Sequence, residues 1–320
     1  MNKRPETSGN DSLLPLIAIV GPTAVGKTEI AIDLAERLGG EIVSADSRLF
    51  YRGMDVGTDK PSPEQRARLP HHLIDVVDPH EVWSLAVYKQ AAKMAIADIH
   101  SRGKLPFLVG GAGQYVRAII ENWVVPKVKP DPGLRLLLES WAEEVHPKGL
   151  HTRLVALDPE AAEKIDYRNV RRTIRALEVI FRTGKKFSEQ RVQGTALYRS
   201  LVVGLTCPRK ELYARIDARI QSMMEAGLVE EVETLLTRGY TPDLPSFSAI
   251  GYREIASYVR GELSLEEAVS AMKQHTRRFV RRQANWFKLD DPGIKWFQVN
   301  TDTVTEIEGV IRGFLSSAVR

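Results

Sequence analysis

Apolar residues along this chain fall into two alternating patterns. Short continuous runs rich in β-branched residues read as strands buried on both faces: "LIAIV" (16–20), "EIVSA" (41–45), "LPFLVGG" (105–111) and "SLVVGLTC" (200–207). "HLIDVV" (72–77) and "IKWFQV" (294–299) are further strand candidates. Between them the spacing turns helical. Ile30, Ala31, Leu34, Ala35 and Leu38 share one helical face and stop at Gly39-Gly40. "SLAVYKQAAKMAIADIHSRG" is an amphipathic helix ended by Gly103, and Gly113 to Ile120 opens another. A helical region runs from Arg209 to about Leu289, and a last amphipathic helix follows the final strand. Strands alternating with helices predict an α/β core whose parallel sheet is flanked by helices.

The texture changes in the middle. From Pro126 to Leu197 the chain has proline punctuation, helical periodicity and little strand character, which predicts a helical insertion domain. The core is then formed by residues 13–125 and 198–320, while residues 1–12 are polar and read as a disordered leader without the apolar stretch of a signal peptide. No apolar run approaches the ~20 residues needed to span a bilayer. Cys207 is the single cysteine, which excludes an intrachain disulfide framework and fits a reducing, cytoplasmic setting. Its position at the end of a strand run makes it a buried structural residue.

The strongest chemical signal is "GPTAVGKT", the spacing G-x-x-x-x-G-K-T between a strand and a helix. Gly21, Pro22, Thr23, Ala24, Val25 and Gly26 would wrap a phosphate with backbone amides. Lys27 would reach the terminal phosphate and Thr28 a Mg²⁺ ion. This establishes phosphate binding and leaves phosphoryl transfer open. Asp46 ends the second strand and should face the loop, because ligands of open α/β sheets gather at strand C-termini. As a residue it fits three roles equally: a Mg²⁺ ligand through water, a general base, or a helix cap. No Walker B strand stands out apart from "HLID". The turn in "LVGGAGQY" lies on the same rim, although a glycine pair by itself mostly serves close packing.

Arg215 and Arg219 lie four apart on one helical face. Read from their neighbourhood alone, they form a solvated surface with Asp217 and Glu225 as partners. The formal net charge is only +4, so two lopsided clusters change the picture. Arg168, Arg171, Arg172, Arg175, Arg182, Lys185 and Lys186 meet a single acid, Glu178. Lys273, Arg277, Arg278, Arg281, Arg282 and Lys288 meet none and are interleaved with Phe279, Trp286 and Phe287. Such runs predict a polyanion footprint, hence a nucleic-acid partner.

With these features together the chain resembles the tRNA dimethylallyltransferases (tRNA isopentenyltransferases). The resemblance rests on "GPTAVGKT", "SADSRLFYRGMDVGTDKP", "HHLIDVVDP", "LVGGAGQYVRA", "RRTIRALEV", "RIDARIQSMMEAGLVEEV", "SAIGYREI" and "RRQANW", in family order from about residue 16 to residue 288. It implies a P-loop NTPase-like core with a helical insertion, and transfer of a dimethylallyl group from dimethylallyl diphosphate to N6 of the adenosine 3′ of the anticodon. The loop would then hold the diphosphate of a prenyl donor, with Mg²⁺ as cofactor. Asp46 would be the catalytic base and Arg219 the catalytic arginine, in place of the surface role above. The resemblance also implies tRNA contacts at Asp46, Ser47, Arg48 and Leu49, at Ala112, and at Arg171, Arg172, Thr173, Ile174 and Arg175. Further contacts fall at Ser248, Ala249, Ile250, Gly251, Tyr252 and Arg253, and at Arg281, Arg282, Gln283, Ala284, Asn285, Trp286, Phe287 and Lys288. Two positions depart from the family pattern: Ala112, where threonine is common, and Leu49, where glutamine is common. A monomer acting on tRNA without a membrane is expected. The alternatives are a small-molecule P-loop kinase, an adenylate isopentenyltransferase using free AMP or ADP, and a non-catalytic RNA-binding protein.

Overall fold

The computed structural model describes residues 13–126, 128–190 and 193–317, so the leader read at residues 1–12 lies outside it. Six parallel strands form one sheet in the order β3-β2-β4-β1-β5-β6. They are β1 (Pro15–Val20), β2 (Gly40–Ser44), β3 (His71–His72), β4 (Leu105–Val109), β5 (Arg199–Thr206) and β6 (Ile294–Gln298). β1 is central, with Ile17 in register with Phe107 on one side and Leu201 on the other. All of Leu16 to Val20 are fully buried, as a strand covered on both faces by helices must be.

One expected strand is much shorter than its apolar content suggests. "HLIDVV" contributes only His72 to the sheet, paired with Val43, before Leu73 and Asp75 turn to positive φ (64° and 56°), and its Val77 makes an isolated bridge with Tyr51. A β-ladder cannot continue through left-handed residues. Asp75 is instead turned toward two cations, Lys60 at 2.6 Å and Arg66 at 2.8 Å.

The helices follow in chain order: α1 (Lys27–Arg37), α2 (Pro63–Arg68), α3 (Leu85–Ser101), α4 (Gly113–Ile120), α5 (Pro132–Leu157), α6 (Pro159–Glu163), α7 (Val170–Thr183), α8 (Phe187–Gln190), α9 (Arg209–Glu225), α10 (Leu228–Thr237), α11 (Tyr252–Val259), α12 (Leu265–Gln283) and α13 (Thr303–Ser316). A short 3₁₀ turn, Pro245–Ser248, precedes α11. Ser84 caps α3 by accepting from the Val87 amide, and Gly103 (φ 66°) lies just beyond its end. Cys207 follows β5 and is only partly buried, less enclosed than its run implies.

Residues Glu121–Thr195 form a compact unit of their own, all helix, with the rest of the chain forming the other. The insertion unit has a separate core of Leu138, Leu150, Leu154, Ile165, Ile174 and Leu177. Within it α5 breaks at His146 (φ 59°, ψ 161°), whose backbone is barred from the α region by Pro147. Glu178, fully buried, accepts from the Asp131 amide, from Arg135 and from Arg175.

Candidate functional site: a phosphate loop between an aspartate and an arginine

The loop after β1 reaches its shape through residues that leave the usual φ range. Gly21 has φ 149°, Ala24 64° and Gly26 99°. A Cβ on Gly21 would meet the Leu205 carbonyl oxygen at 2.6 Å, so only glycine fits between β1 and β5. The loop then curls over its own lysine: Lys27 Nζ donates to the Pro22 carbonyl at 2.7 Å. Burial lowers the Lys27 ammonium to a pKa of about 8; Asp46 opposes that shift, Arg219 adds to it and Asp59 opposes it. Lys27 therefore stands in the joint field of one arginine and two carboxylates.

Thr23 is gripped from two directions. Its amide donates to Gln283 Oε1 at 2.9 Å, and its hydroxyl accepts from Arg219 Nη1 at 3.1 Å. Arg219 also lies 3.3 Å from Asp59. This corrects the surface reading of Arg219, because its expected partners are engaged elsewhere: Asp217 with Arg277, and Glu225 with Gln221. Arg215 donates to the Val25 carbonyl at 3.2 Å and pairs with Glu211. α9 thus turns two arginines toward the phosphate loop. Burial of Ile216 and Ile220 on its other side holds it against the core.

Gln283, at the end of α12, is a keystone. Its Nε2 donates to the Gly111 carbonyl at 3.0 Å while its Oε1 accepts from Thr23. A Cβ on Gly111 would sit 2.3 Å from that Nε2, and one on Gly110 would sit 2.4 Å from the Ala45 carbonyl. The glycine pair after β4 is therefore a close-packing device, and what it admits is this amide.

Asp46 follows β2. Its amide donates to Ser44 Oγ at 3.2 Å, and its Oδ1 accepts from the Arg48 amide at 3.0 Å. The turn-forming role is present, and Oδ2 has no hydrogen bond among the described residues. Arg48 reaches across to the Pro245 carbonyl and the Ser248 hydroxyl, tying the Asp46 turn to the segment before α11. Behind Asp46 stands an aromatic cluster in which the Tyr88 ring lies 5.5 Å from Phe50 and 4.6 Å from Tyr115.

Two cavities open on this framework. The larger, about 630 Å³, is lined by Lys27, Thr28, Asp59, Lys60, Arg215 and Arg219 among others. The smaller, about 50 Å³, is lined by Lys27, Thr28, Asp46, Leu49, His71 and Ile74 among others. Lys27 and Thr28 are common to both, with the arginines on one side and Asp46 on the other.

The sequence-predicted tRNA contacts divide by burial. Arg253, Arg281, Arg282, Ala284, Asn285 and Lys288 are exposed, as is Ser248. Ala249, Tyr252, Gln283 and Phe287 are buried, along with Gly251, and pack the core. Ile250 and Trp286 are partly buried, as are Ser47 and Ala112. In the insertion unit Arg171 is exposed and Arg172 partly so, whereas Thr173 and Ile174 are buried. Arg175 is held by Glu178 at 2.6 Å and by the Val128 carbonyl at 3.0 Å. In this structure the buried side chains among them pack against the cores of their units.

The residues missed by sequence reasoning lie in "MDVGTDK" (54–60). Its amides at Asp55, Val56 and Gly57 donate to Glu231, which also accepts from Tyr252. Lys60, nearly buried, joins the Tyr51 carbonyl, Asp55 and Asp75. The stretch lies within the motif "SADSRLFYRGMDVGTDKP", but the resemblance assigns no role to that motif's residues beyond Leu49.

Two family models match the chain, IPP transferase over residues 49–290 and isopentenyl transferase over residues 14–74. A tRNA dimethylallyltransferase of Roseiflexus sp. (strain RS-1) is 54% identical over 276 residues, covering 86% of this chain and 90% of that protein. One from Dehalococcoides mccartyi is 42% identical over 310 residues, covering 97% and 95%. Among solved structures, the tRNA isopentenylpyrophosphate transferase of Bacillus halodurans is 41% identical with a TM-score of 0.71, covering 95% of this chain and 98% of its own. A eukaryotic dimethylallyltransferase acting on tRNA is 29% identical with a TM-score of 0.81, covering 95% and 80%.

Proposed function

The chain belongs to the IPP transferase family, and on that premise we propose that it transfers a dimethylallyl group from dimethylallyl diphosphate to N6 of the adenosine immediately 3′ of the anticodon in tRNA, releasing diphosphate. The observation that carries this reading is the placement of Lys27 between Asp46 and Arg219, each on its own cavity. Transfer of an allylic carbon breaks its bond to the diphosphate oxygen, which keeps the electron pair. It forms a bond from N6 to that carbon, and N6 gives up a proton. Negative charge therefore grows on the leaving diphosphate, where Lys27, Arg219 and the amides of residues 21–28 would hold it. The proton leaves on the opposite side, where the Asp46 carboxylate has an oxygen left to accept it.

The residues present fit a Mg²⁺ ion beside the diphosphate. No cluster of three or more metal-ligating side chains exists among the described residues. The Thr28 hydroxyl would then serve with diphosphate oxygens and water, a common arrangement for this ion. When bound, it would neutralise charge on the leaving group. The exposed basic residues Arg253, Arg281, Arg282 and Lys288, and Arg171 in the insertion unit, supply phosphate contacts for tRNA. The target adenine would have to leave the loop stack to reach Asp46. Among the described residues no helix is long and apolar enough to cross a membrane, and action as a cytoplasmic monomer is part of the same proposal.

The test incubates the purified protein with Mg²⁺, dimethylallyl diphosphate and unmodified tRNA, then weighs the digested nucleosides. Dimethylallyladenosine should form from tRNA and not from AMP. Asp46→Ala should lower the rate by about 10²–10⁴-fold, the usual contribution of a general base. ATP consumption with no prenylated tRNA would overturn the reading in favour of a kinase.

A further inference from the structure

Asp59 poses a problem for a diphosphate site. It lines the larger cavity with Lys27 and Arg219, and its carboxylate lies 3.3 Å from the arginine that a diphosphate needs. A carboxylate there repels a bare diphosphate and competes for its cation. Yet the loop that carries it is built with care. Asp59 itself has φ 53°. Its amide donates to the Val56 carbonyl, and the Thr58 hydroxyl donates to the Met54 carbonyl at 2.6 Å. Glu231 collects three amides of the same loop, and a Cβ on Gly57 would overlap Tyr252 at 2.6 Å. Lys60, the next residue, is fixed by Asp55 and Asp75. These constraints fix the backbone of Asp59, and its half-exposed side chain meets Arg219.

We infer that Asp59 makes capture of the diphosphate depend on Mg²⁺: it holds Arg219 and opposes a bare diphosphate, and it attracts the same diphosphate once that carries the metal. The inference rests on the proposed prenyl-donor reading of this site. Its physical basis is the sign of one charge. A bare diphosphate brings negative charge alone, so Asp59 subtracts from the pull of Lys27 and Arg219. A Mg²⁺–diphosphate brings a cation that a carboxylate across the cavity can meet, directly or through one of the waters this ion keeps. Thr28 and Asp59 line the same cavity, so both would be available to the metal. Asp59 is then a positioning residue, acting through Arg219 and the metal.

The experiment is calorimetric titration of the full chain with inorganic diphosphate, with and without MgCl₂. Asp59→Asn keeps the size and tolerates the left-handed conformation, so the loop should stand. Without Mg²⁺ the variant should bind diphosphate about two- to fivefold more tightly than the wild type, the range of a partly exposed ion pair. With saturating Mg²⁺ the order should reverse, so that the gain from adding the metal shrinks. Glu29→Gln removes a charge from the same cavity without touching Arg219 and should leave the gain near that of the wild type. An unchanged metal gain in Asp59→Asn, or an equal change in Glu29→Gln, overturns the inference and leaves the prenyl-donor reading intact. A wild type that binds no diphosphate under either condition sinks both.

Discussion

Replacing Gln283 with leucine tests how the phosphate loop is held. The leucine keeps most of the side-chain volume in a site where Gln283 is 5% exposed, so packing changes little. It removes both ends of the bridge, the bond from the Thr23 amide at 2.9 Å and the bond to the Gly111 carbonyl at 3.0 Å. Each such bond contributes about 0.5–1.5 kcal/mol net. Thr23 is only partly buried and can find water, whereas Gly111 is buried and its carbonyl cannot easily do so. The loss is then about 1–3 kcal/mol, and it falls on the loop rather than on the whole sheet. Hydrogen exchange reads that locally: peptides covering residues 21–26 should exchange about 5- to 150-fold faster, since each ~1.4 kcal/mol is tenfold in the opening equilibrium.

Gly111→Ala attacks the same bridge from the other side, because its Cβ would sit 2.3 Å from the Gln283 amide nitrogen. If one bridge is responsible, the double variant must cost clearly less than the sum of the singles. Asn285→Ala, exposed and two residues further on, should change nothing in the loop. A folded Gln283→Leu protein whose loop exchanges at the wild-type rate would refute the reasoning, as would simple additivity.

Two further outcomes follow from the electrostatics. Lys27, with its pKa lowered by burial to about 8, should show acylation that rises through pH 8 rather than near 10.4, with the midpoint moving up when diphosphate is present; a midpoint near 10 in its absence refutes the buried-lysine picture. Burial alone would raise the Glu178 carboxyl, but Arg135, the Asp131 amide and Arg175 outweigh it and bring the pKa down from 4.5 to about 2. The insertion unit should therefore keep this stabilisation above about pH 4.5 and lose it as pH falls toward 2. Glu178→Gln should lower its melting temperature at pH 7 through loss of about 3–5 kcal/mol, with the difference narrowing on acidification.

What the sequence revealed depended on how local the cause was. β1, the loop and α1 were legible because apolar content, glycine spacing and helical period all agree within one stretch of chain. The third strand was overread, since nothing in "HLIDVV" announces that Leu73 and Asp75 turn left-handed to bring Asp75 onto Lys60 and Arg66. Arg219 looked like surface because its helix neighbours include acids; its real partners, Thr23 and Asp59, are far away in the chain. The 54–60 loop stood inside a family motif, but its role in the site went unread for the same reason. Its shape is set by Glu231 and Tyr252, and no periodicity reports a contact of that range. Gln283 was noticed only as one member of a basic, aromatic segment, while its role depends on the space two glycines leave beside it.

These long-range contacts also bear on why a loop of the phosphotransferase type serves a different reaction. In P-loop phosphotransferases a Walker B acid helps to hold Mg²⁺ against the transferred phosphate. Here the strand beside β1 that could supply one, β4, ends in Val109 and is followed by Gly110 and Gly111, and the room beside Gly111 is taken by the neutral Gln283 amide. The acid of "HLID", Asp75, is committed to Lys60 and Arg66. Two acids do reach the loop, Asp59 on the Arg219 side and Asp46, which lines the smaller cavity with Lys27 and Thr28. Asp46 is well placed to receive a proton from an amine approaching a carbon that has turned away from the diphosphate. On the proposed reading the loop would grip a leaving group while the acid on the other side of Lys27 receives the proton.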